Sequence, residues 1–424
     1  MTDEHKVVLA ASCSHFITHG FMTMFPALMV VIAGENSMSF MDIGIIANVG
    51  YFLYGMGAFP AGYLSDRFGS KRMLTVGIMG MSLGALLVGF SVGIWSFALS
   101  YALLGLFASI HHPAGLSLIA RRVKTNRGQA LGIHGVMGNV GLFLTPLIAA
   151  SCVWLFHSWR AGYIIYGVIG IGFALLLYKS RISDEADFSF RETMKRGPVE
   201  KAAVQDKSGQ AGDEGHAVPP SVLIPLSLLA LFLVSTMSGY IFRGSLTFFP
   251  VLFRQEIHFI TNNDFPAVMA GYMTTAVLSL GLVGAWFGGY INDKLKRPEL
   301  FPALVFLLVA PLLYMISRSS DNKLIIYAGL FSLIYYSWQP AQNYLISKYA
   351  RKASCGIGFG VNFFLIFGLG SLATATGGYV TDDYGVDVFY WLMSIVAVAG
   401  FIGALTVFFV RHHSIRVFCR LEKD

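Results

Sequence analysis

Residues 62–72 of the chain read GYLSDRFGSKR and residues 289–294 read GYINDK, so one Gly-Tyr-x-x-Asp pattern with a following basic residue occurs twice, 227 positions apart. Each copy follows a long apolar run. Two further pairs keep nearly the same offset: Ala120-Arg121-Arg122 with Ala350-Arg351-Lys352, and Gly141-Leu142 with Gly368-Leu369. Three pairs of matching segments in the same order predict that the chain is built from a duplicated unit.

The composition places this duplicated unit in a membrane. Of the 424 residues, 55% are hydrophobic and only 12% are charged, and the mean hydropathy is +0.64. Because a soluble domain carries about 25% charged residues, this chain has too few polar groups to cover a water-soluble surface. A soluble enzyme, a nucleic-acid-binding protein and a secreted disulfide scaffold are therefore excluded. The four cysteines are scattered and form no C-x-x-C motif.

Twelve apolar runs follow one another along the chain, each close to the roughly 20 residues that a helix needs to cross a bilayer. We expect an all-α membrane protein with twelve transmembrane helices in two pseudo-symmetric six-helix bundles. The predicted domains are residues 1–178, a flexible cytoplasmic linker at 179–221, and residues 222–424. The predicted spans are 7–32, 42–64, 73–93, 95–119, 129–153, 159–178, 222–253, 264–291, 300–317, 323–346, 354–380 and 386–410.

The basic residues orient this bundle. Of the 30 Lys and Arg residues, 25 lie at the termini, in the linker or in loops after even-numbered spans, and four lie in loops after odd-numbered spans. Cytoplasmic loops are enriched in Lys and Arg, so both termini are expected in the cytoplasm, in a bacterial inner membrane. The net charge of +7 then reflects topology and contact with anionic lipid, not nucleic acid. The first apolar run is too long for a cleaved signal peptide, so we expect it to stay as an anchor.

Polar side chains inside the spans are costly in a bilayer and are candidates for function. Histidines, amides and one arginine fall in the interior of the predicted spans. Asp and Glu do not: Asp42, Asp264 and Asp387 stand at the first or second position of their spans. The predicted substrate-binding residues are His15, His19, His111, His112, Tyr240, Arg243, Gln339, Gln342 and Asn343. Their spacing at i, i+3 and i+4 predicts that Gln339, Gln342 and Asn343 share one face of the tenth span.

Arg243 is the one Lys or Arg residue in the interior of a predicted span, and it cannot shed its proton. It therefore needs an anionic partner, which could be a carbonyl oxygen, a loop carboxylate or the substrate, and we favour the substrate. His134 alone is more typical of a hydrogen bond between helices, whereas His111 and His112 before Pro113 favour a function. Because no Cys or carboxylate ligand accompanies the histidines, no metal site is expected, and no cofactor is implied.

Residues 62–72 resemble the loop signature G-x-x-x-D-R-x-G-R-R-R that follows the second span in the major facilitator superfamily, with Ser70 in place of the first Arg of the basic run. The second copy is looser, with Lys294 for the Arg and Lys296 for the Gly. The resemblance implies that spans 1, 4, 7 and 10 line a central cavity and that the Asp latches one state of a transporter. The alternative is a loop that only sets topology. The expected gating residues are Gly62, Asp66, Arg67, Gly69, Arg121 and Asp293.

A finer resemblance, to the fosmidomycin-resistance-type exporters, rests on three local patterns. These are His15 with Pro26-Ala27-Leu28, His112-Pro113 with Gly115, and Arg243 with Pro250. Ala114 and His19 depart from that group, in which acids are common at these two positions. The resemblance implies efflux driven by protons. Because histidine titrates near neutrality, His19, His112 and His134 are then expected to carry the proton in place of the missing acids.

These observations predict a monomeric secondary transporter that moves a small organic anion by alternating access, with proton-coupled efflux as the preferred direction. Uptake of an anionic nutrient or of a siderophore-type metal chelate is the alternative. A polytopic membrane enzyme using His111 or His112 as a base would need a carboxylate nearby, and a sensor would need an added signalling domain. No G-x-x-x-x-G-K-[ST] motif is present, so ATP is not expected to drive transport.

Overall fold

The computed structural model describes residues 2–124, 127–182, 226–349 and 360–421, and within these ranges every regular element is a helix. The side chains of Asp66 and Asp293, two predicted gating residues, lie outside the described part, as does most of the predicted linker. The first six spans are Asp3–Asn36, Phe40–Met56 with Ala58–Phe68, Ser70–Gly89, Ile94–Ala108 with His111–Arg122, Arg127–Phe156, and Trp159–Lys179. The last six are Leu226–Glu256, Pro266–Lys294, Phe301–Ser317, Asp321–Tyr335 with Trp338–Tyr349, Gly360–Tyr384, and Val386–Leu421.

The predicted fold class is confirmed. Within the described residues, eleven helical stretches are long and apolar enough to cross a membrane. The predicted tenth span is not among these eleven, and, like the fourth span, it is divided into helices of 15 and 12 residues. Other boundaries differ from the predicted ones by a few residues, and the second span extends from Phe40 to Phe68 with an interruption at Gly57.

Breaks in the fourth and tenth spans occur at equivalent places in the two halves. One new helix begins at His111 and has Pro113 as its third residue, and the other begins at Trp338 and has Pro340 as its third residue. A proline has no N–H for the carbonyl four residues earlier, and its ring collides with that carbonyl. The two prolines lie 227 positions apart, so the break is a further copy of the internal repeat.

The helices of the two halves pack in matching pairs. The first span lies along the fifth and the third along the sixth, while the seventh lies along the eleventh and the ninth along the twelfth. Between the halves, the second span packs on the eleventh and the fifth on the eighth. Spans 2 and 8 are equivalent in the two halves, as are spans 5 and 11, so the two contacts between the halves are related by a pseudo-twofold axis. A duplicated six-helix unit gives this arrangement when its two copies face each other.

The halves are joined most closely at one end of the bundle. We name the end that carries the loop at Phe68–Ser70 the basic end, and the other the opposite end. Glycines make the close approach: a Cβ at Gly44 would overlap the carbonyl oxygen of Thr374, and one at Gly378 would overlap that of Phe40. Towards the basic end, no atom of the described residues lies within 4 Å of where a Cβ would stand at Gly132 or Gly135 of the fifth span. The fifth span therefore has no described neighbour in contact with these two positions.

Candidate functional site

Five histidines from three spans of the first half form one cluster. His15 is its centre: its ring centroid lies 4.2 Å from that of His134, 4.6 Å from His19, 4.9 Å from His111 and 5.1 Å from His112. Four of the rings are buried, and His111 has no exposed surface. The structure thus brings together all five histidines that the sequence singled out for substrate or proton binding.

Small residues make room for this cluster. A Cβ at Gly138 of the fifth span would lie within 3 Å of the His15 ring. A Cβ at Gly115 of the fourth span would lie 3.3 Å from His111 Cε1 and 3.5 Å from His134 Cε1. Because both positions lack a side chain, the fourth and fifth spans can approach the first span closely enough for the imidazoles to meet.

Two hydrogen bonds fix the orientation of the central rings. His15 Nδ1 lies 2.8 Å from the carbonyl oxygen of His134, which can only accept, so this nitrogen carries the proton. His111 Nδ1 lies 3.3 Å from Ser14 Oγ, and the Ser14 hydroxyl itself donates to the carbonyl oxygen of Ala11 at 2.8 Å. His111 Nδ1 is therefore the donor in its bond to Ser14. In a neutral ring, the lone pair of His15 and of His111 is then on Nε2.

Arg243 lies inside the seventh span with only 2% of its surface exposed. Its guanidinium carbon is 3.6 Å from the centroid of the Tyr51 ring, which belongs to the other half, and 5.4 Å from that of Phe242. No described carboxylate oxygen lies within 4.0 Å of it, and its Nε has no hydrogen-bond partner among the described residues. A buried guanidinium held by aromatic faces is thus left without a counter-ion from the described chain.

One aromatic side chain separates Arg243 from the histidines. The Phe367 ring lies 6.0 Å from the guanidinium carbon of Arg243 and 5.7 Å from the ring of His112, to which it is nearly parallel. Phe367 lies on a π-helical turn, Phe364–Gly368, within the eleventh span. Such turns shift the helical register locally and often occur at functional sites. The cationic group and the imidazole cluster therefore belong to one site that crosses the interface between the halves.

Two of the predicted substrate-binding residues have other partners. Tyr240 Oη is 2.6 Å from Thr376 Oγ1, within the second half. Gln342 Nε2 donates to Ser235 Oγ at 2.7 Å and to Asn362 Oδ1 at 3.2 Å. These bonds join the seventh, tenth and eleventh spans, and none of the bonded groups is a described neighbour of Arg243.

The three amides that were predicted to share one face of the tenth span differ in burial. Gln342 is buried inside the second half, whereas Gln339 and Asn343 are exposed. Neighbouring residues on a helix differ in direction by about 100°, so the edge of the buried face falls between Gln342 and Asn343. Gln339 and Asn343 are the members of this set that a ligand could reach from outside the helix packing.

The predicted gating loop contains one backbone feature that explains part of its sequence. Gly69 has φ of 100°, in the left-handed region that favours glycine, and its N–H bonds to the carbonyl oxygen of Ser65. A Cβ at Gly62 would lie 3.7 Å from Cβ of Pro113 in the fourth span, which is ordinary van der Waals contact. Arg67 and Arg121 are exposed at the basic end. The role of these residues in gating stays a prediction.

Sequence reasoning missed Tyr51, although it forms the closest aromatic contact with Arg243. Its hydroxyl donates to the carbonyl oxygen of Met22 at 2.9 Å, which holds the ring face towards the arginine. From sequence alone, a tyrosine in an apolar span cannot be distinguished from a residue that only packs in the core. The signal that could have drawn attention to it is Tyr54 one helical turn later, whose ring lies 5.9 Å from that of His112.

A sequence model of the Major Facilitator Superfamily matches residues 11–375 of the chain. Among curated proteins, the chain is 23% identical to the fosmidomycin resistance protein of Escherichia coli, over 94% of this chain and 91% of that protein. It is 25% identical to a D-galactonate transporter of Escherichia coli, over 85% of each chain. It is also 34% identical to the membrane sensor protein UhpC of Salmonella typhimurium, but there the chain spans only 31% of the relative's length, with 32% of its own.

Solved structures show the same fold at low sequence identity. A bacterial homologue of the human lysosomal transporter Spinster, in an inward-facing and unoccupied conformation, superposes with a TM-score of 0.70 at 13% identity. The match covers 99% of this chain and 98% of that one. The twelve-span plan that the sequence predicted therefore has a counterpart in a transporter of known structure.

Proposed function

Because the chain belongs to the Major Facilitator Superfamily, we propose that it is a secondary transporter that carries a small organic anion across a bacterial inner membrane. Both termini then lie in the cytoplasm, which makes the basic end the cytoplasmic one, in agreement with the enrichment of Lys and Arg in its loops. Transporters of this fold bind their substrates between the two halves, near the middle of the membrane.

The observation that carries the anion proposal is Arg243. A guanidinium that is 98% buried keeps its charge and needs compensation, yet no described carboxylate approaches it. An anionic group of the substrate supplies that compensation, and the two N–H edges of guanidinium suit a carboxylate or a phosphate. The name of one relative, the D-galactonate transporter, agrees with a carboxylate as the anionic group.

Alternating access is the mechanism we propose, and the way in which the halves meet supports it. Their close glycine contacts lie towards the opposite end, while the fifth span has open space beside Gly132 and Gly135 at the basic end. A rocking motion that separates the glycine contacts at the opposite end and closes the space at the basic end would expose Arg243 to each side of the membrane in turn. The proposed conformation of this structure is therefore the one that faces the cytoplasm.

Efflux is the proposed direction, supported by the similarity to the fosmidomycin resistance protein over nearly the whole chain. Coupling to protons through His19, His112 and His134 stays a prediction from the sequence. Uptake of an anionic nutrient is the second candidate, which the D-galactonate transporter favours. A signalling role without transport is the third, which the partial similarity to UhpC favours.

Flux through the purified full-length protein in liposomes tests the proposal. A panel of labelled sugar acids, sugar phosphates, dicarboxylates and phosphonates is offered on either side, with and without an imposed pH gradient. We expect at least one anion to cross, Arg243→Ala to abolish that flux, and Arg243→Lys to keep part of it. Arg254→Ala, an exposed arginine at the end of the same helix, is the matched control.

The outcomes separate the candidates. Flux in the outward direction with a pH gradient supports coupled efflux, and inward flux supports uptake. Binding without flux of any anion supports the sensor. If Arg243→Ala transports every accepted anion as well as the unchanged protein does, the charge argument is wrong.

A further inference from the structure

A groove on the outside of the second half runs between the ninth and twelfth spans, and we name it the lateral groove. It is lined by residues of the ninth span from Phe306 to Tyr314 and of the twelfth span from Ser394 to Phe401. Its volume of about 410 Å³ is within the range of small-molecule pockets, about 300–1,000 Å³. The lateral groove shares no residue with the histidine cluster or with the aromatic contacts of Arg243.

The sizes of the side chains explain where the lateral groove lies. A Cβ at Gly400 would lie 2.6 Å from the ring of Phe306, so the ninth and twelfth spans are in close contact at that depth. Closer to the opposite end, Ala310 and Ser394 offer only short side chains to the space between the spans. Pro311 has no N–H for the carbonyl four residues earlier and favours a bend in the ninth span.

The walls of the lateral groove suit a hydrocarbon chain. Leu307 and Val398 line it and are about half exposed. The Ser394 hydroxyl donates to the carbonyl oxygen of Trp391 at 2.6 Å, so its proton is already bonded within the twelfth span. The ninth span ends at Ser317, and the groove begins one turn below that end. In a bilayer this is the depth of the acyl chains, so lipid and not water meets the groove.

The rim of the lateral groove towards the opposite end carries residues typical of a membrane interface. Tyr314 and Trp391 are 48% and 40% exposed, and such amphipathic rings are favoured at the level of the lipid headgroups. Arg318 is exposed and follows Tyr314 by four residues, which places it above the same face of the ninth span. No described carboxylate oxygen lies within 4.0 Å of its guanidinium. A cationic group thus stands above an apolar groove.

We propose that the lateral groove binds one phospholipid with a net negative headgroup, taken from the leaflet that meets the opposite end. One acyl chain lies against Ala310 and Val398, and Arg318 holds the phosphate through its N–H groups. A zwitterionic headgroup would bring its ammonium close to the same guanidinium, so an anionic headgroup is preferred. The proposal depends on insertion of the chain in a membrane and not on the anion contact at Arg243.

Lipid binding is measured by native mass spectrometry on the purified full-length protein after removal of bound lipid. Phosphatidylglycerol and phosphatidylcholine with identical acyl chains are titrated separately. We expect one phosphatidylglycerol to be retained per chain, with an affinity about fivefold higher than that of phosphatidylcholine. The interaction of one basic side chain with anionic lipid corresponds to roughly this factor, so Arg318→Ala should remove the preference between the two lipids.

Matched variants separate the groove from the general lipid surface. Ala310→Leu places a larger side chain in the groove and should lower the affinity for both lipids at least fivefold. Ala399→Leu is its control, because Ala399 is exposed on the twelfth span but does not line the groove. Arg254→Ala, at the same end of the bundle on the seventh span, is the control for Arg318→Ala. Both controls should bind as the unchanged protein does.

Three results would overturn the proposal. Absence of a retained lipid in the unchanged protein would exclude the site, and equal losses in Ala310→Leu and Ala399→Leu would exclude the groove as its place. Equal affinities of the unchanged protein for the two lipids would exclude the contact between Arg318 and the headgroup.

A second readout guards against variants that merely misfold. A ligand that binds only the folded state raises its thermal midpoint, so phosphatidylglycerol should stabilise the unchanged protein and Ala399→Leu more than Ala310→Leu. Equal stabilisation of all three would contradict the proposal. Because neither measurement uses transport, failure here leaves the anion proposal standing, and failure of the flux experiment leaves the lipid site standing.

Discussion

The Asp382 carboxylate, at the end of the eleventh span, caps the helix that begins at Phe40 in the other half. Its two oxygens accept hydrogen bonds from the backbone N–H of Phe40 at 3.0 Å and of Met41 at 2.6 Å. The first N–H groups of a helix have no partner within it, and they attract negative charge. This contact ties the two halves together at the opposite end.

Replacing this carboxylate should loosen that end. Loss of a capping side chain costs about 1 kcal/mol, so Asp382→Ala should raise the population that is open at the opposite end roughly fivefold. The measurement is the labelling rate of Asn48→Cys by a membrane-impermeant maleimide, in a variant whose four cysteines are replaced by alanine. Asn48 bonds to Ser371 across the interface and is shielded when the halves are closed.

Asp383→Ala is the control, because Asp383 is the next residue and is also exposed, while the bonds to Phe40 and Met41 come from Asp382. We expect its labelling rate to equal that of the unchanged protein. Equal acceleration by both variants would show that general loss of charge, not the cap, is responsible.

A methyl group at Gly44 should force the halves apart. The built Cβ would overlap the carbonyl oxygen of Thr374, which is backbone and cannot rotate away. Gly34→Ala, at the same end of the bundle but with no atom within 4 Å of its Cβ, should be neutral or slightly stabilising, since alanine favours a helix by about 1 kcal/mol over glycine. We expect Gly44→Ala alone to increase labelling at position 48 and to slow flux. Similar behaviour of the two variants would refute the close contact.

The face of Tyr51 should matter more than its hydroxyl. A desolvated cation over an aromatic ring gains about 1–2 kcal/mol, so Tyr51→Ala should raise the KM for the transported anion roughly five- to thirtyfold by releasing Arg243 from its position. Tyr51→Phe keeps the ring and loses only the bond to the Met22 carbonyl oxygen. Its KM should stay near that of the unchanged protein. A larger defect in Tyr51→Phe than in Tyr51→Ala would overturn the role given to the ring.

The two copies of the gating motif should respond unequally. If Asp66 latches a transport state, Asp66→Asn removes a hydrogen bond to a charged group, worth about 1.5–3 kcal/mol, and should slow flux tenfold or more. Asp293→Asn should have a smaller effect, because its copy has Lys294 and Lys296 where the first has Arg67 and Gly69. Substrate binding at equilibrium serves as the control and should change little in either variant. Unchanged flux in Asp66→Asn would favour a loop that only sets topology, and equal losses in both variants would contradict the unequal roles of the two copies.

Much of this architecture was accessible from the sequence because a bilayer imposes simple constraints. Apolar length predicted the spans, and the 227-residue offset predicted the duplication. The same offset relates Pro113 to Pro340, so the broken tenth span was readable as a copy of the break before His111. The histidine cluster was predictable residue by residue, since each member is a costly group in an apolar helix.

The contacts of the site were not predictable in the same way. Tyr51 meets Arg243 through packing between the two halves, and Phe367 meets it through packing between two spans of one half. Helical periodicity does not report contacts between residues so far apart in sequence. The position of Phe367 also depends on a π-helical turn, which shifts the register away from the regular period of 3.6 residues. The spacing of Gln339, Gln342 and Asn343 predicts their direction on the helix but not which of them is buried, because the edge of the buried surface falls between them.

Phe367 has a mechanical consequence. It belongs to the half that carries Arg243, while the imidazole it stacks on, His112, belongs to the other. Any rotation of one bundle against the other must therefore slide these two parallel rings across each other. In the proposed alternating-access cycle, a bound molecule that contacts either ring would change the energy of this movement. Occupancy of the site and the relative orientation of the two halves would therefore be coupled at the contact between Phe367 and His112.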